Sequence, residues 1–476
     1  MNAPKLSVRA VEGYEWPYVL RLPFRFGAVT HTHGRQLVVR ARIRLADGRE
    51  GWGYAAEALA AKWFEKDPGL TDAQNFAQLR RAVELTRDAY LAAGANTAFG
   101  LSIEHYRPLR QAGMREGLSP LVTSFGPAMV DRAVLDALCR LEGLSFRCAM
   151  QANRAGMTPH HEIGDLGGFD FESFLAGLDP ADHIHVRHTV GMVDPIVAAD
   201  QDKRVDDGLP ETLEEVVTRY GCRYYKLKVG GDVERDVARL SRIAQVLDRI
   251  SGPYHATLDG NEQYADAKGV AELWRAMART KALRRLCDSI LFIEQPIKRQ
   301  AALSESVTAL VAAKAVIIDE SDGEYDSFPR ARALGYGGVS SKACKGFYKS
   351  VVNRARVDLW NVGLARNRYF LSAEDLTTLA GLCVQQDLVL VGYLGLGHVE
   401  RNGHHFVHGM SGRPRAEQDA FLAAHPDLYE PGSGTVRLRI SGGRLALGSL
   451  DCPGFGSAVL PDIAAMDPMP KAAWPG

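Results

Sequence analysis

Apolar and polar residues alternate through "RQLVVRARIRLADGREGWGYA" on either side of Asp47-Gly48, a pair suited to a tight hairpin turn, so the chain up to about residue 60 predicts antiparallel strands. From Asp72 the period lengthens. "DAQNFAQLRRAVELTRDAYLAA" and "PAMVDRAVLDALCRLEG" carry apolar residues at helical spacing, the second ending at a glycine. Together these predict an α+β unit over residues 1–180, in which 148–180, with "TPHHEIGDLGGFD", reads as a loop-rich insertion.

After "DHIHVRHTVG" the texture changes to short apolar runs alternating with helical stretches: "YYKLKV", "YHATLD", "LFIEQ", "AVIID", "GGVSSK", "RYFLSAED" and "HHFVHG". Repeated β-then-α units of this kind build a parallel sheet, and eight candidate strands are the count of a closed (β/α)8 barrel. The expected fold is thus α/β: a TIM-like barrel over 181–430, capped by the α+β unit. The tail 431–476, with "GTVRLRISGGRLALGSLDCPGFGSAV", returns to strand-like alternation and is expected to rejoin the cap.

Composition narrows the partner. The 476 residues carry 57 basic and 57 acidic side chains, so no net charge favours nucleic acid or an anionic membrane surface. No apolar stretch reaches a membrane span of about 18 residues, and the first residues lack a signal-peptide pattern. Seven scattered cysteines without a CxxC pair read as reduced thiols of a cytoplasmic protein. A small-molecule ligand is the expectation that remains.

In such a barrel the C-terminal strand ends share one mouth. Asp259 in "TLDGN", Glu294 in "FIEQP" and Asp319 in "IIDES" then stand on three consecutive strands. Each alone is an ordinary turn or cap residue. Side by side they repel one another, and an all-oxygen set with no neighbouring Cys or His suits Mg²⁺. Lys226 and Lys228, two apart on one strand, share a face and point inward together. A neighbouring ammonium, a divalent cation and burial would each disfavour the charged lysine, making it a base, and Lys342 in "GGVSSK" offers a second one across the mouth.

The ordered set "DGREGWGYA", "AVLDALCRLEG", "KLKVGGD", "LDGN", "IEQP", "IDES", "SSKACKG" and "CPGFG" resembles the enolase superfamily, within it the muconate-lactonizing-enzyme-like subgroup. That resemblance implies Mg²⁺ on Asp259, Glu294 and Asp319, with Lys228 and Lys342 as acid/base groups on opposite faces of a carboxylate substrate. It further implies that Lys226 neutralises the substrate carboxylate, Glu320 orients Lys342, Asn261 supports the metal site, and the assembly is a homo-oligomer. Lys345 is an alternative to Lys342 if its strand runs longer. By the same resemblance, His31 and His33 of "THTHG" are expected in the mobile capping loop that closes over the mouth and reads the substrate. Ser372 and Glu374 stand on the seventh strand, where mandelate-racemase-like members carry a histidine, and "HHFVHGM", taken as the eighth, lacks the Asp-x-Asp of dipeptide epimerases.

The activity implied is removal of the α-proton of a carboxylate to give an enediolate, ending in racemisation or epimerisation. Acid-sugar dehydration and cycloisomerisation share that first step. A non-catalytic metal-binding barrel and a zinc hydrolase using His404 or His408 are competing readings, the latter without any familiar ligand spacing.

Overall fold

The computed structural model describes residues 3–27, 29–311 and 314–474. Three antiparallel strands, β1 (Leu6–Phe26), β2 (Val29–Leu45) and β3 (Glu50–Ala58), form the capping sheet, with the hairpin turning at Asp47-Gly48. Inward positions of β2, from Leu37 through Val39, Ala41 and Ile43 to Leu45, are buried, and these alternate residues lie on the face covered by helices.

Those helices are α1 (Ala61–Phe64), α2 (Asp72–Ala92), α3 (Ala98–Arg115) and α4 (Pro120–Glu142). Ser119 caps α4 ahead of a proline at its first turn, and Gly143 ends it in the left-handed conformation at φ 67°, the stop that glycine supplies without steric cost. A Cβ on Gly53 would stand 2.2 Å from the Ala133 carbonyl oxygen, so α4 lies backbone-close on β3 only because that residue is glycine.

The barrel follows. Its eight parallel strands are β4 (His183–Val190), β5 (Tyr224–Lys228), β6 (His255–Asp259), β7 (Ile290–Glu294), β8 (Ala315–Ile318), β9 (Gly338–Ser341), β10 (Phe370–Ala373) and β11 (His398–Arg401). They pair in chain order from β4 to β10, while β11 pairs back onto β4 and approaches β10, curling the sheet into a ring.

Three expectations are corrected here. The eighth strand is His398–Arg401, and "HHFVHG" instead starts as the short helix Gly403–Phe406. A strand ending in the charged pair Glu400-Arg401 gives only a two-residue apolar signal, whereas the histidine-rich run mimics alternation without having a sheet to join. His31 and His33 sit not in a loop but at the start of β2, paired with Phe24 and Val19 of β1. The 148–180 region, expected to be loop-rich, holds helices at Phe146–Gln151 and Phe171–Gly177.

The tail divides its contacts. Strand Asp467–Pro468 pairs with β1, and strand Arg444–Ala446 pairs antiparallel with β4 of the barrel. No helix among the described residues is long and apolar enough to cross a membrane.

Candidate active site

Register sets the site. Lys228 is aligned with Asp259 and Asp259 with Glu294, so three strand ends present ionisable groups at one level. Asp319 and Lys342 directly follow β8 and β9, and Glu374 directly follows β10. Two further acids, Glu400 on β11 and Glu320 after β8, are buried beside them. Because β5 and β9 are four places apart in a ring of eight, Lys228 and Lys342 enter the mouth from opposite sides.

Lys226 occupies the centre. Its ammonium lies 2.9 Å from Asp259, 3.0 Å from Glu294, 2.6 Å from Glu374 and 2.8 Å from Glu400. One cation cannot satisfy four carboxylates in a buried site, and the acids divide accordingly. Burial raises the Asp259 carboxyl, but Lys226 and Lys228 outweigh it and hold the group at about 2. Glu374 is likewise held well below its usual range against the effect of burial, by Lys226 and Lys342. Burial and the neighbouring Glu374 charge push Glu294 well above its usual range, and burial pushes Glu400 up to about 7. Lys226 itself is raised, because the four acids overcome the burial that would lower it.

The ordinary carboxyl of glutamate titrates near 4.5, and Glu400 in the fold near 7, so this group lowers stability progressively as pH rises between those values. Glu400→Gln should therefore gain stability over the parent as pH goes from about 4.5 to about 7. Urea unfolding in EDTA across that range checks it; a pH-independent difference would contradict the raised carboxyl.

Lys228 donates to Asp259 Oδ2 at 2.5 Å. Lys342 reaches Asp319 at 2.8 Å and Glu374 at 3.0 Å, and the ring of Trp63 covers it with the centroid 4.0 Å from Nζ. Burial would lower Lys342, but Asp319 and Glu374 raise it, so it is held as an ammonium rather than as the free base expected from its neighbours. Lys345, on the short helical turn after β9, turns to the Asp319 carboxylate at 3.0 Å and to the carbonyl oxygens of Asp319 and Ser340.

The carboxylates that converge are Asp259, Glu294 and Glu374, each offering an oxygen within 4.8 Å of the others. Asp319, expected as the third, is engaged instead by the two lysines of β9 and its turn. Neither oxygen of Glu294 receives a well-directed hydrogen bond among the described residues, although both are buried. Buried oxygens that meet only the Lys226 ammonium, beside two further carboxylates, form a donor set that fits a hard divalent cation.

The remaining expected residues divide between the site and its supports. Glu320 does not reach Lys342 by a hydrogen bond; its Oε1 accepts from Lys66 at 3.0 Å and from Asn261 at 3.2 Å. Lys66 belongs to the capping segment after β3, so Glu320 ties the cap to the barrel. Arg299 adds to that tie by donating to the backbone oxygens of Phe64 and Trp63 at 2.8 and 2.9 Å. Ser372 faces the barrel interior and accepts from the buried Arg187 at 2.8 Å, away from the mouth.

A cavity opens above Lys228 between cap and barrel, with Asn261, Glu374, Glu400 and Asn402 towards the barrel and Phe24, Phe26, Trp63 and Phe76 among its apolar walls. His31 and His33 line it as well. His31 faces the Tyr18 hydroxyl at 3.2 Å, and burial pushes it down to about 4, so it is neutral near pH 7. His404, considered for zinc, instead contacts His188 at 3.2 Å, and the only group of three or more His, Cys, Asp or Glu poised for a metal among the described residues is the carboxylate set.

No protein-family model and no curated protein matches the sequence. Solved structures do. A muconate lactonizing enzyme from Pseudomonas fluorescens, complexed with muconolactone, superposes with a TM-score of 0.60 at 17% identity, over 96% of this chain and 98% of that one. A mandelate racemase/muconate lactonizing protein from Herpetosiphon aurantiacus gives 0.59 at 18% identity, over 94% and 98%. A dipeptide epimerase from Enterococcus faecalis, complexed with Mg and L-Leu-L-Tyr, gives 0.59 at 14%, over 94% and 99%.

The chain has the enolase-superfamily fold. Coverage of nearly the whole of each relative means that cap and barrel are both matched, not the barrel alone. Within the enolase-superfamily fold, sequence reasoning missed Glu400, because the eighth strand was misplaced, and Trp63 and Lys66, whose segment "LAAKWFEK" carries no periodic signal. Glu400 was recoverable from an acid closing the short run "HVE".

Proposed function

We propose that this protein is a Mg²⁺-dependent enzyme that removes the proton α to a substrate carboxylate and returns one to the opposite face, a racemase or epimerase. The observation that carries this reading is the placement of Lys228 and Lys342 at the ends of opposite barrel strands, each in ion-pair contact with the carboxylate cluster. The comparisons support it through relatives of the same fold that are named as epimerases and lactonizing enzymes, some of them complexed with Mg.

Asp259, Glu294 and Glu374 would hold the cation, which supplies positive charge beside a substrate carboxylate as that group gains a second negative charge. The protein groups do the rest. Lys228, once it has given its own proton to solvent, takes the α-proton; the C–H electron pair moves into the carboxylate to give the enediolate. Lys342, held as an ammonium, gives its proton to the other face of that carbon, leaving the inverted centre. Return to the starting protonation states takes one proton from Lys228 to solvent and one from solvent to Lys342. Phe24, Phe26, Trp63 and Phe76 shield the carbanion from water.

Glu400 favours a second reading. A carboxyl raised to about 7 that lines the cavity can protonate a leaving group, which would make the outcome β-elimination rather than inversion.

The test is incubation with a library of α-chiral and α-hydroxy carboxylic acids in deuterated buffer containing Mg²⁺, followed by NMR. Mg²⁺-dependent loss of an α-proton signal with inversion supports the first reading, and an unsaturated or keto product supports the second. A protein that binds Mg²⁺ and exchanges no acid in the library is a binding protein, and both fall. Metal assignment is separable: Glu374→Gln should weaken Mg²⁺ binding by at least about tenfold, as loss of a charged ligand does, and Asp319→Asn by less. Calorimetric titration showing the reverse order would return the third ligand to Asp319.

A further inference from the structure

A second cavity lies on the other side of Lys345, between α3 and α4 of the cap and the barrel segment that follows β9. It shares no lining residue with the cavity above Lys228. Its walls are mainly apolar: Leu109, Pro120, Pro127 and the rings of Tyr106 and Tyr325. Two polar side chains of the helix Phe347–Asn361 line it with bonding capacity to spare.

The first is Tyr348. It is 2% exposed and its hydroxyl has no hydrogen-bond partner among the described residues. A buried hydroxyl without a partner is a destabilising feature that native proteins seldom retain. The second is Lys349. Its ammonium donates to the Asp322 carbonyl and stands 3.4 Å from the Asp322 carboxylate, which Lys345 shares at 3.5 Å. Lys345 pairs more closely with Asp319, at 3.0 Å, so Asp322 is the one carboxylate beside Lys349, held off at 3.4 Å, and burial pushes Lys349 down to about 8. An anion in the cavity would correct both deficits.

We propose that this cavity is a second ligand site, which takes a small carboxylate with an apolar body, its carboxylate on Tyr348 and Lys349 and its body between the prolines and tyrosines. The acid that also lines it does not oppose this. Asp131 is engaged by Tyr90 at 2.7 Å and Ser102 at 2.6 Å, and burial raises its carboxyl to about 7, so much of its charge is suppressed near neutrality. Tyr106, Arg110 and Tyr325 line both this cavity and a neighbouring pocket, where the Arg110–Glu324 ion pair stands partly exposed. The floor residue Lys345 carries its ammonium to Asp319, which places the occupant one side chain from the proton-transfer site.

Benzoate is a suitable probe, titrated by calorimetry in EDTA against the full-length protein and its Tyr348→Phe, Lys349→Met and Lys228→Ala variants. Saturable binding is expected, weakened about tenfold by Tyr348→Phe, which removes one hydrogen bond. Lys349→Met should weaken it further and Lys228→Ala should leave it unchanged. Because the Tyr348 hydroxyl has no partner in the free protein, Tyr348→Phe should fold at least as stably as the parent, so lost binding cannot be charged to misfolding. Binding that survives both helix variants, binding lost in Lys228→Ala, or no saturable binding at millimolar benzoate overturns the proposal. Benzyl alcohol binding as tightly as benzoate would overturn the carboxylate class. None of these results bears on α-proton exchange at Lys228, so the two readings stand or fall separately.

Discussion

Replacing Lys226 by methionine should destabilise the metal-free protein by about 3–5 kcal/mol, the range for removing one partner from a buried charge network. Mg²⁺ should return a large part of that loss. The reason is local charge balance: this one ammonium touches Asp259, Glu294, Glu374 and Glu400 within 3.0 Å, and methionine keeps its length while removing its charge. Without it, the acids must be protonated or neutralised from outside. A divalent cation bound only by the folded state stabilises by mass action, so the increment from Mg²⁺ should be larger in the variant than in the parent. The sign with pH follows from the same acids. Carboxyls raised further by the loss of Lys226 contribute stability at low pH that is lost as pH rises through their folded values, so the variant should be most impaired at neutral and alkaline pH. Urea unfolding of both proteins, with EDTA and with Mg²⁺, measures all of this. Equal stability of the two in EDTA would mean that the cluster does not depend on Lys226 for its neutralisation.

Lys228→Ala and Lys342→Ala should each reduce the proposed racemisation by about 10³-fold, the middle of the range for loss of a general acid or base. Their residual activities should differ in kind. With a lysine on each side of the α-carbon, each acting as base only after losing its proton to solvent, removing one leaves the other able to exchange the proton of a single enantiomer. Lys228→Ala should then retain exchange for the enantiomer whose proton faces Lys342, and Lys342→Ala for its mirror image. Deuterium incorporation followed for each enantiomer separately gives the result. If either variant loses exchange for both enantiomers, or keeps it for both, the two-sided arrangement is wrong. Lys345 provides a useful contrast, because its ammonium is committed to Asp319 and the Ser340 carbonyl. Lys345→Ala should disturb the position of Asp319 without abolishing exchange on one chosen face.

Much of the site was legible because barrel strands end in register. "KLK", "TLD" and "FIE" each close an apolar run with an ionisable residue, and the parallel ladder that aligns Lys228, Asp259 and Glu294 follows from the βα repeat alone. Glu374 was found as a residue of the seventh strand, but its convergence with Asp259 and Glu294 was not, because a residue just past a strand takes its direction from the following loop. Asp319 shows the converse. Its place in "IIDES" is what the spacing expects, yet the two lysines of β9 and its turn capture it. The resemblance assigned Glu320 to orient Lys342, and it instead holds Lys66 of the cap, a contact between residues far apart in the chain.

The sequence by itself determined the alternation of strand and helix, the two inward lysines of β5 and the acids at successive strand ends, because periods of two and of about 3.6 residues are local properties of the backbone. Tertiary structure decided which charges meet. Lys226 among four acids, Trp63 over Lys342 and the orphaned Tyr348 hydroxyl depend on how the ring closes and where the cap settles, and distances across a closed sheet are not encoded in any short stretch of chain.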